Sequence, residues 1–158
     1  MLKAGTRAPE FVLANDEGTE TSLTELLEDG PLILYFYPAD FTPGCTREAC
    51  SLRDIHDDIQ AVGLRVAGVS PQDVESHNKF RDKHQLPFTL LSDPEKDVIK
   101  MYDVDGMFGV GVTRATYLIG QDRTIQDAVV ANVRIGRHQE FVEKAIILRE
   151  TAGKRATD

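Results

Sequence analysis

The sequence predicts an α/β layered sandwich in which helices cover a mixed β-sheet. From about residue 32 to residue 102, short apolar runs alternate with segments whose apolar residues recur every three or four positions, as expected for strands alternating with helices. The run at 32–37 is apolar without alternation, which is typical of a strand buried on both faces. Two extended segments around a turn at 120–123, followed by a last amphipathic segment, predict a closing hairpin and helix.

Taken in order, the strands are predicted from apolar runs bounded by turn residues. They lie at 9–13, 19–21, 32–37, 64–70, 88–91, 114–119 and 124–133, the first two forming an N-terminal hairpin. The helices are predicted from capping residues and three-to-four spacing. The first begins at the capping box 22–25, the second runs from about 43 to 61, and the third runs from 71 to about 84. The fourth follows the cap at 92–95, and the fifth runs from about 138 to 150. Residues 103–113 are predicted to form a glycine-rich loop.

The overall composition predicts one soluble domain spanning residues 1–158, with a polar tail at 151–158 that is expected to fray. Hydrophobic residues make up 41% and the net charge is −8, which argues against a nucleic-acid or anionic-membrane surface. The N-terminus has no apolar signal-peptide core and no run approaches the length of a membrane span, so a cytoplasmic protein is expected. In a reducing compartment, two cysteines are more often catalytic, redox-active or buried than a structural disulfide.

Both cysteines lie where the apolar run at 32–37 passes through a proline-containing loop into the predicted helix. Cysteine reacts as the thiolate, and a helix N-terminus favours the thiolate through its partial positive charge and unpaired N–H groups. Cys45 lies at this helix start and outside the apolar stripe of the helix, and the Thr42 hydroxyl could reach its sulfur or a bound oxygen. Pro38 and Pro43 stiffen the loop. The pattern indicates a reactive thiol at Cys45.

Cys50 follows Cys45 by five residues. On a continuous helix the two side chains are separated by about 140° around the axis and about 7–8 Å along it. A disulfide usually needs Cα atoms within about 7 Å. A Cys45–Cys50 bond therefore requires the first turns of the helix to unwind, and we predict a local unfolding linked to oxidation.

Other interpretations of these residues stay open from the sequence alone. Cys50, beside Ala49 and Leu52, could be core, since free cysteine is often buried. Arginine at a strand edge, such as Arg114, is usually solvated. The four histidines are scattered without metal-ligand spacing, and the glycine-rich loop lacks a phosphate-binding ending, so no metal or cofactor is expected.

The segment around the cysteines resembles the active site of a peroxiredoxin, most closely the Q-type, also called bacterioferritin comigratory protein. The matching residues are Phe41-Thr42-Pro43-Gly44-Cys45-Thr46-Arg47-Glu48-Ala49-Cys50, preceded by Tyr35-Phe36-Tyr37-Pro38. The family pattern Pro-x-x-x-Thr-x-x-Cys falls on Pro38, Thr42 and Cys45, the resolving cysteine on Cys50 and the distant arginine on Arg114. The segment 103–113 departs from the longer, more lysine-rich and aromatic segment of many relatives.

This resemblance implies a thioredoxin-like fold and an antioxidant enzyme that reduces hydrogen peroxide and organic hydroperoxides. Cys45 would become a sulfenic acid, Cys50 would condense with it to an intramolecular disulfide, and thioredoxin or a similar dithiol would reduce that disulfide. Arg114 would hold the thiolate, and Thr42 would hydrogen-bond the peroxide and the sulfur.

The resemblance also implies a set of substrate-binding groups around Cys45. Backbone N–H groups at Gly44 and Cys45 would complete the cradle for the peroxide oxygens, and Glu48 would orient Arg114. Tyr37 and Phe41 would line the pocket, though either could be plain packing. No metal or organic cofactor is implied.

Three functions remain as hypotheses from the sequence. The first is a monomeric or weakly dimeric thiol peroxidase. The second is a general thiol–disulfide oxidoreductase, against which the absence of Cys-x-x-Cys counts. The third is a redox sensor or holdase that uses the Cys45–Cys50 switch without peroxidase turnover.

Overall fold

The structure is a computed structural model that describes residues 1–157, with side chains through Lys154. The strands are β1 (Val12–Asn15), β2 (Glu20–Ser22), β3 (Leu32–Phe36), β4 (Arg65–Ser70), β5 (Thr89–Ser92), β6 (Ala115–Ile119) and β7 (Ile125–Val130). The helices are α1 (Leu23–Leu26), α2 (Pro43–Asp54), α3 (His56–Ala61), α4 (Val74–His84), α5 (Asp97–Met101) and α6 (Gly136–Thr157). None of the helices in this part of the chain is long and apolar enough to cross a bilayer.

The seven strands form one sheet in the order β2-β1-β5-β4-β3-β6-β7. Strand β3 pairs parallel with β4, and β4 pairs parallel with β5. The remaining pairings, β1 with β2, β1 with β5, β3 with β6 and β6 with β7, are antiparallel. The predicted mixed sheet, its N-terminal hairpin and its closing hairpin are therefore confirmed.

Strand β3 lies in the middle of the sheet, and every residue of it is buried. Successive side chains of a strand point to opposite faces, which explains why the run shows no alternation. Leu32, Leu34 and Phe36 pack into one apolar cluster with α1 and α5. The next residues, Ile33 and Tyr35, pack into a second cluster with α2, α3, α4 and α6. Cys45 belongs to this second cluster.

Two predicted helix boundaries are wrong. The helix predicted from 43 to 61 is interrupted at Ile55, whose φ of −108° and ψ of 11° end α2 and precede α3. No glycine or proline marks this break, but Asp57 and Asp58 occupy the first turn of α3, where the helix dipole favours negative charge.

The last helix extends beyond the predicted end near residue 150 and reaches Thr157. Residues 151–157 are polar but contain alanine, lysine and arginine, which are strong helix formers, so polarity alone did not end the helix. Asp158, the end of the tail predicted to fray, lies outside the described residues.

Candidate active site

Cys45 lies in the first turn of α2, at the end of the loop that leaves β3. Thr42 is the N-cap residue, with extended φ and ψ of −77° and 150°, and Pro43 occupies the first turn, where its missing N–H costs nothing. The first hydrogen bond along the helix joins Thr46 N to Thr42 O at 2.9 Å. The N–H groups of Gly44 and Cys45 precede it and have no partner within the helix. They are donors suited to an anion or oxyanion at the sulfur.

Arg114 reaches the sulfur from the other side of the site, although it is 69 residues away in the sequence. Its Nη2 lies 3.2 Å from Cys45 Sγ, and its side chain is buried. The backbone holds the arginine in place: Arg114 N donates to Asn132 Oδ1 at 2.8 Å, and Ala131 N donates to Arg114 O at 3.1 Å. The structure therefore brings Arg114 and Cys45 together, and Arg114 is not a solvated strand-edge residue.

Glu48, one turn after Cys45, is completely buried and accepts a hydrogen bond from Arg114 Nη1 at 2.9 Å. Burial raises the pKa of Glu48 to about 7, although Arg114 acts in the opposite direction. One guanidinium thus bridges a thiol sulfur and a carboxyl group in a site closed to water. The carboxyl group of Glu48 thus contacts one end of the guanidinium whose other end contacts Cys45.

Gly44 allows the close approach of these groups. A Cβ atom at this position would lie 2.8 Å from Ile135 Cδ1 and 3.2 Å from Arg114 Nη2. Both distances are shorter than ordinary van der Waals contacts, so any side chain here would displace the arginine or the isoleucine.

The other residues predicted for the site lie on the loop before α2, and their environments differ. Thr42 is exposed, and its Oγ1 donates to Ala39 O at 2.9 Å rather than to the sulfur. Phe41 adopts the left-handed conformation with φ of 63°, is 45% exposed and packs its ring against Phe80. Pro38 is half-buried at the start of the loop.

Tyr37 is buried with Cys45 in the second apolar cluster, and its hydroxyl donates to Asp40 Oδ1 at 2.7 Å. Asp40 Oδ2 in turn lies 2.7 Å from His77 Nδ1 and accepts from Ser76 Oγ at 2.8 Å. This network fastens the active-site loop to α4, and no local pattern in the sequence predicts it. It gives Tyr37 a structural partner for its only polar group.

The two cysteines differ in environment, and both are free thiols. Cys45 is 1% exposed and packs within the apolar cluster, so the prediction that it lies outside the apolar stripe is wrong. The reason is spacing, because Cys45 precedes Ala49 by four residues and Leu52 by seven and so shares their helix face. Cys50 is half-buried and is not one of the residues of that cluster.

Sequence reasoning also missed His138, which was one of four scattered histidines. It lies in the first turn of α6, is 1% exposed, and its Nδ1 is 3.5 Å from Glu48 Oε2. The same nitrogen lies 2.8 Å from Thr116 Oγ1 on β6. No local signal connects these residues, since they are brought together only by the packing of α6 and β6 against α2.

Comparison with known proteins gives consistent results. Residues 4–128 match the AhpC/TSA family. Peroxiredoxin Bcp from Bacillus subtilis is 39% identical over 127 residues, which cover 77% of this chain and 80% of that protein.

Solved structures agree with this family match. The crystal structure of peroxidoxin BcpB from Mycobacterium tuberculosis has a TM-score of 0.88 and 32% identity, covering 94% of this chain and 98% of that one. The Xanthomonas campestris bacterioferritin comigratory protein, studied for its alkyl peroxide reduction activity, has a TM-score of 0.79 and 29% identity over 87% of this chain and 90% of that one.

Proposed function

Since this chain belongs to the AhpC/TSA family, in which its relatives are peroxiredoxins, we propose that its thiol-dependent peroxidase activity uses Cys45 as the attacking thiol and Cys50 as the resolving thiol. The observation that carries this assignment is the 3.2 Å contact between Arg114 Nη2 and Cys45 Sγ at the start of α2. A fixed positive charge against the sulfur favours the thiolate, which is the reactive form. Cys50, the other free thiol, is half-buried.

In the first step, the thiolate of Cys45 attacks the terminal oxygen of a hydroperoxide. An S–O bond forms, the O–O bond breaks, and the leaving alkoxide or hydroxide takes one proton, so that sulfur is oxidised to a sulfenic acid and the peroxide is reduced to alcohol or water. Negative charge moves from sulfur to oxygen during this step. Arg114 and the N–H groups of Gly44 and Cys45 are the donors placed to stabilise that charge.

Thr42 takes a narrower role than the sequence implied. Its hydroxyl has one proton, which is directed to Ala39 O. It can therefore serve a peroxide only as an acceptor, taking a hydrogen bond from the peroxide O–H. Pro38 and Phe41 shape the loop that holds this oxygen in place.

In the second step, the Cys50 thiol attacks the Cys45 sulfenic acid, an S–S bond forms and water leaves. Both residues lie on the continuous helix α2, five positions apart, so this step requires the start of α2 to unwind. A thioredoxin-like dithiol then reduces the disulfide by thiol–disulfide exchange.

The hypotheses of a non-enzymatic sensor or a general oxidoreductase gain no support from the family match. A reducing cytoplasm suits both free thiols, and a monomer or weak homodimer stays our expectation.

Peroxide consumption coupled to thioredoxin, thioredoxin reductase and NADPH tests the proposal. The wild-type protein should turn over, whereas Cys45→Ser should not. Cys50→Ser should consume about one equivalent of peroxide and then stop, because no disulfide can form. A Cys50→Ser variant that cycles normally with thioredoxin would remove Cys50 from the resolving role, and mass spectrometry of the oxidised wild type should show a loss of two hydrogens within one chain.

A further inference from the structure

We propose that His138 is a positioning residue for the reaction of Cys45, because it shares one proton with Glu48 and this shared proton leaves the charge of Arg114 directed at the sulfur. The inference rests on the proposed function, since it concerns the rate at which Cys45 reacts with peroxide. His138 does not contact Cys45 in the described hydrogen-bond network; it acts through the carboxyl group of Glu48 and the guanidinium of Arg114.

The hydrogen bonds of His138 fix which ring nitrogen carries a proton. Nε2 lies 2.9 Å from Ala131 O, and a carbonyl oxygen can only accept, so Nε2 is an N–H donor. In the neutral ring, Nδ1 then carries a lone pair. This lone pair accepts a hydrogen bond from Thr116 Oγ1 at 2.8 Å, and Glu48 Oε2 lies 3.5 Å from the same nitrogen.

One of the two oxygens of the Glu48 carboxyl group lacks a hydrogen-bond donor. Oε1 accepts from Arg114 Nη1, but Oε2 is buried and has no hydrogen-bond partner. An ionised carboxylate oxygen without a donor is costly to bury, and a lone pair on His138 Nδ1 facing it adds repulsion. One proton between Oε2 and Nδ1 removes both costs, provided that the Thr116 hydroxyl turns so that its oxygen, and not its proton, faces His138.

The charged groups around Glu48 and His138 determine how the shared proton affects Cys45. Arg114 faces Glu48 and Cys45, Arg137 lies beside His138, and Tyr35 on β3 faces Glu48 as a neutral phenol because burial raises its pKa. With the shared proton present, the thiolate and Arg114 balance each other. Without it, Glu48 is a second anion competing for the same guanidinium, and less positive charge is available to the oxygens of the peroxide.

The direction of the pH effect follows from burial. Burial lowers the pKa of His138 and raises that of Glu48 to about 7, so the pair loses its proton to solvent as the pH rises above neutrality. The rate of Cys45 oxidation should therefore fall on the alkaline side, by roughly three- to tenfold, the effect expected from one added charge near a partly screened site.

The test is the second-order rate constant of Cys45 oxidation by hydrogen peroxide, measured by quenched flow on the reduced protein from pH 6 to pH 9.5. The rate constant of the wild type should fall on the alkaline side of this range. Glu48→Gln should not, because its amide keeps the shape of the side chain but does not titrate. His138→Gln retains a donor for Ala131 O but removes Nδ1, so its fall should move to lower pH. His84→Gln, the same exchange at a half-exposed position on α4, should match the wild type.

Two results would overturn the role of His138: wild-type and Glu48→Gln profiles of the same shape, or a His138→Gln profile with an unmoved midpoint. If His138→Gln fails to fold, ¹⁵N NMR of the wild-type ring nitrogens decides. The Nδ1 signal of His138 should titrate with the midpoint of the rate, and an Nδ1 signal that does not move there contradicts the shared proton. If peroxide oxidises Cys45 at no pH, the proposed function fails instead.

Discussion

At the scale of single residues, the site depends on one guanidinium that serves two partners. Arg114 donates through Nη2 to the Cys45 sulfur and through Nη1 to Glu48. Its planar fork can hold both at once, which the single ammonium of lysine cannot do in the same geometry. The positions of the Cys45 sulfur and of the Glu48 carboxyl group are therefore coupled through one side chain.

Replacing Arg114 by alanine should slow the oxidation of Cys45 by about 100-fold or more, the usual effect of removing a donor to the charge that develops in a reaction. The measurement is the rate constant for hydrogen peroxide under single-turnover conditions. Arg47→Ala is the matched control, since Arg47 is exposed on the same helix. An unchanged rate in Arg114→Ala would exclude the arginine from the site.

A methyl group at Gly44 should have a similar but smaller effect. Gly44→Ala places an atom 2.8 Å from Ile135 Cδ1 and 3.2 Å from Arg114 Nη2, so the arginine should shift from the sulfur. We expect the oxidation rate to fall by roughly tenfold. Adding Ile135→Val should restore part of the rate if steric contact with Ile135 causes the loss. No recovery in the double variant would mean that the displacement of Arg114 alone lowers the rate.

At the scale of elements, the loop from β3 to α2 is fixed by a buried hydrogen-bonded pair, Asp40 and His77. His77 Nε2 lies 3.0 Å from Leu91 O and Nδ1 lies 2.7 Å from Asp40 Oδ2, so both ring nitrogens face acceptors. Both side chains of the pair are fully buried. The pair thus joins the active-site loop to α4 and to β5.

Removing one partner of this pair leaves the other buried and uncompensated. Asp40→Asn or His77→Leu should lower the free energy of unfolding by about 1–3 kcal/mol, the usual cost of leaving a buried polar group without its hydrogen-bond partner. Urea unfolding measures the loss, and Asp82→Asn, on the exposed face of α4, is the control. A loss below about 1 kcal/mol, in the range of a surface pair, would show that the network does not hold the loop.

The unwinding of α2 is the second prediction for an element. Peroxide treatment of the wild type should increase amide hydrogen exchange across residues 43–54, because the disulfide cannot form on an intact helix. Cys50→Ser should keep the slow exchange after oxidation. Equal exchange in the reduced and oxidised wild type would show that the cysteines pair without unwinding the helix.

At the scale of the whole molecule, Glu48 makes stability depend on pH. Its folded pKa of about 7 lies above its ordinary value of 4.5, so the folded state binds more protons between these two values. Stability should fall as the pH rises through this window. Glu48→Gln should remove the dependence, so the wild type should lose about 2–3 kcal/mol relative to the variant between pH 4.5 and pH 8, measured by urea unfolding. A constant difference would contradict the burial of an ionised Glu48.

Much of this molecule could be predicted because its signals are local. The doubly buried strand β3, the capping box at Ser22 and the thiol at the start of α2 each follow from neighbouring residues. Arg114 needed the family pattern, since its partner is 69 residues away. The His138–Glu48 contact and the Asp40–His77 pair could not be predicted, because each joins elements that meet only through the packing of the sheet.

Because Cys45 is buried, only small reagents can reach its sulfur in the reduced protein. With the residue 1% exposed, a reagent must be small enough to enter beside Arg114 before its electrophilic strength matters. A bulky maleimide should therefore label the half-buried Cys50 first, although Cys45 is the thiol that we propose to attack peroxide. In the cycle that we propose, a protein reductant would meet the same barrier until the unwinding of α2 exposed the disulfide. Access to Cys45 would then set the order of the two half-reactions of the proposed cycle.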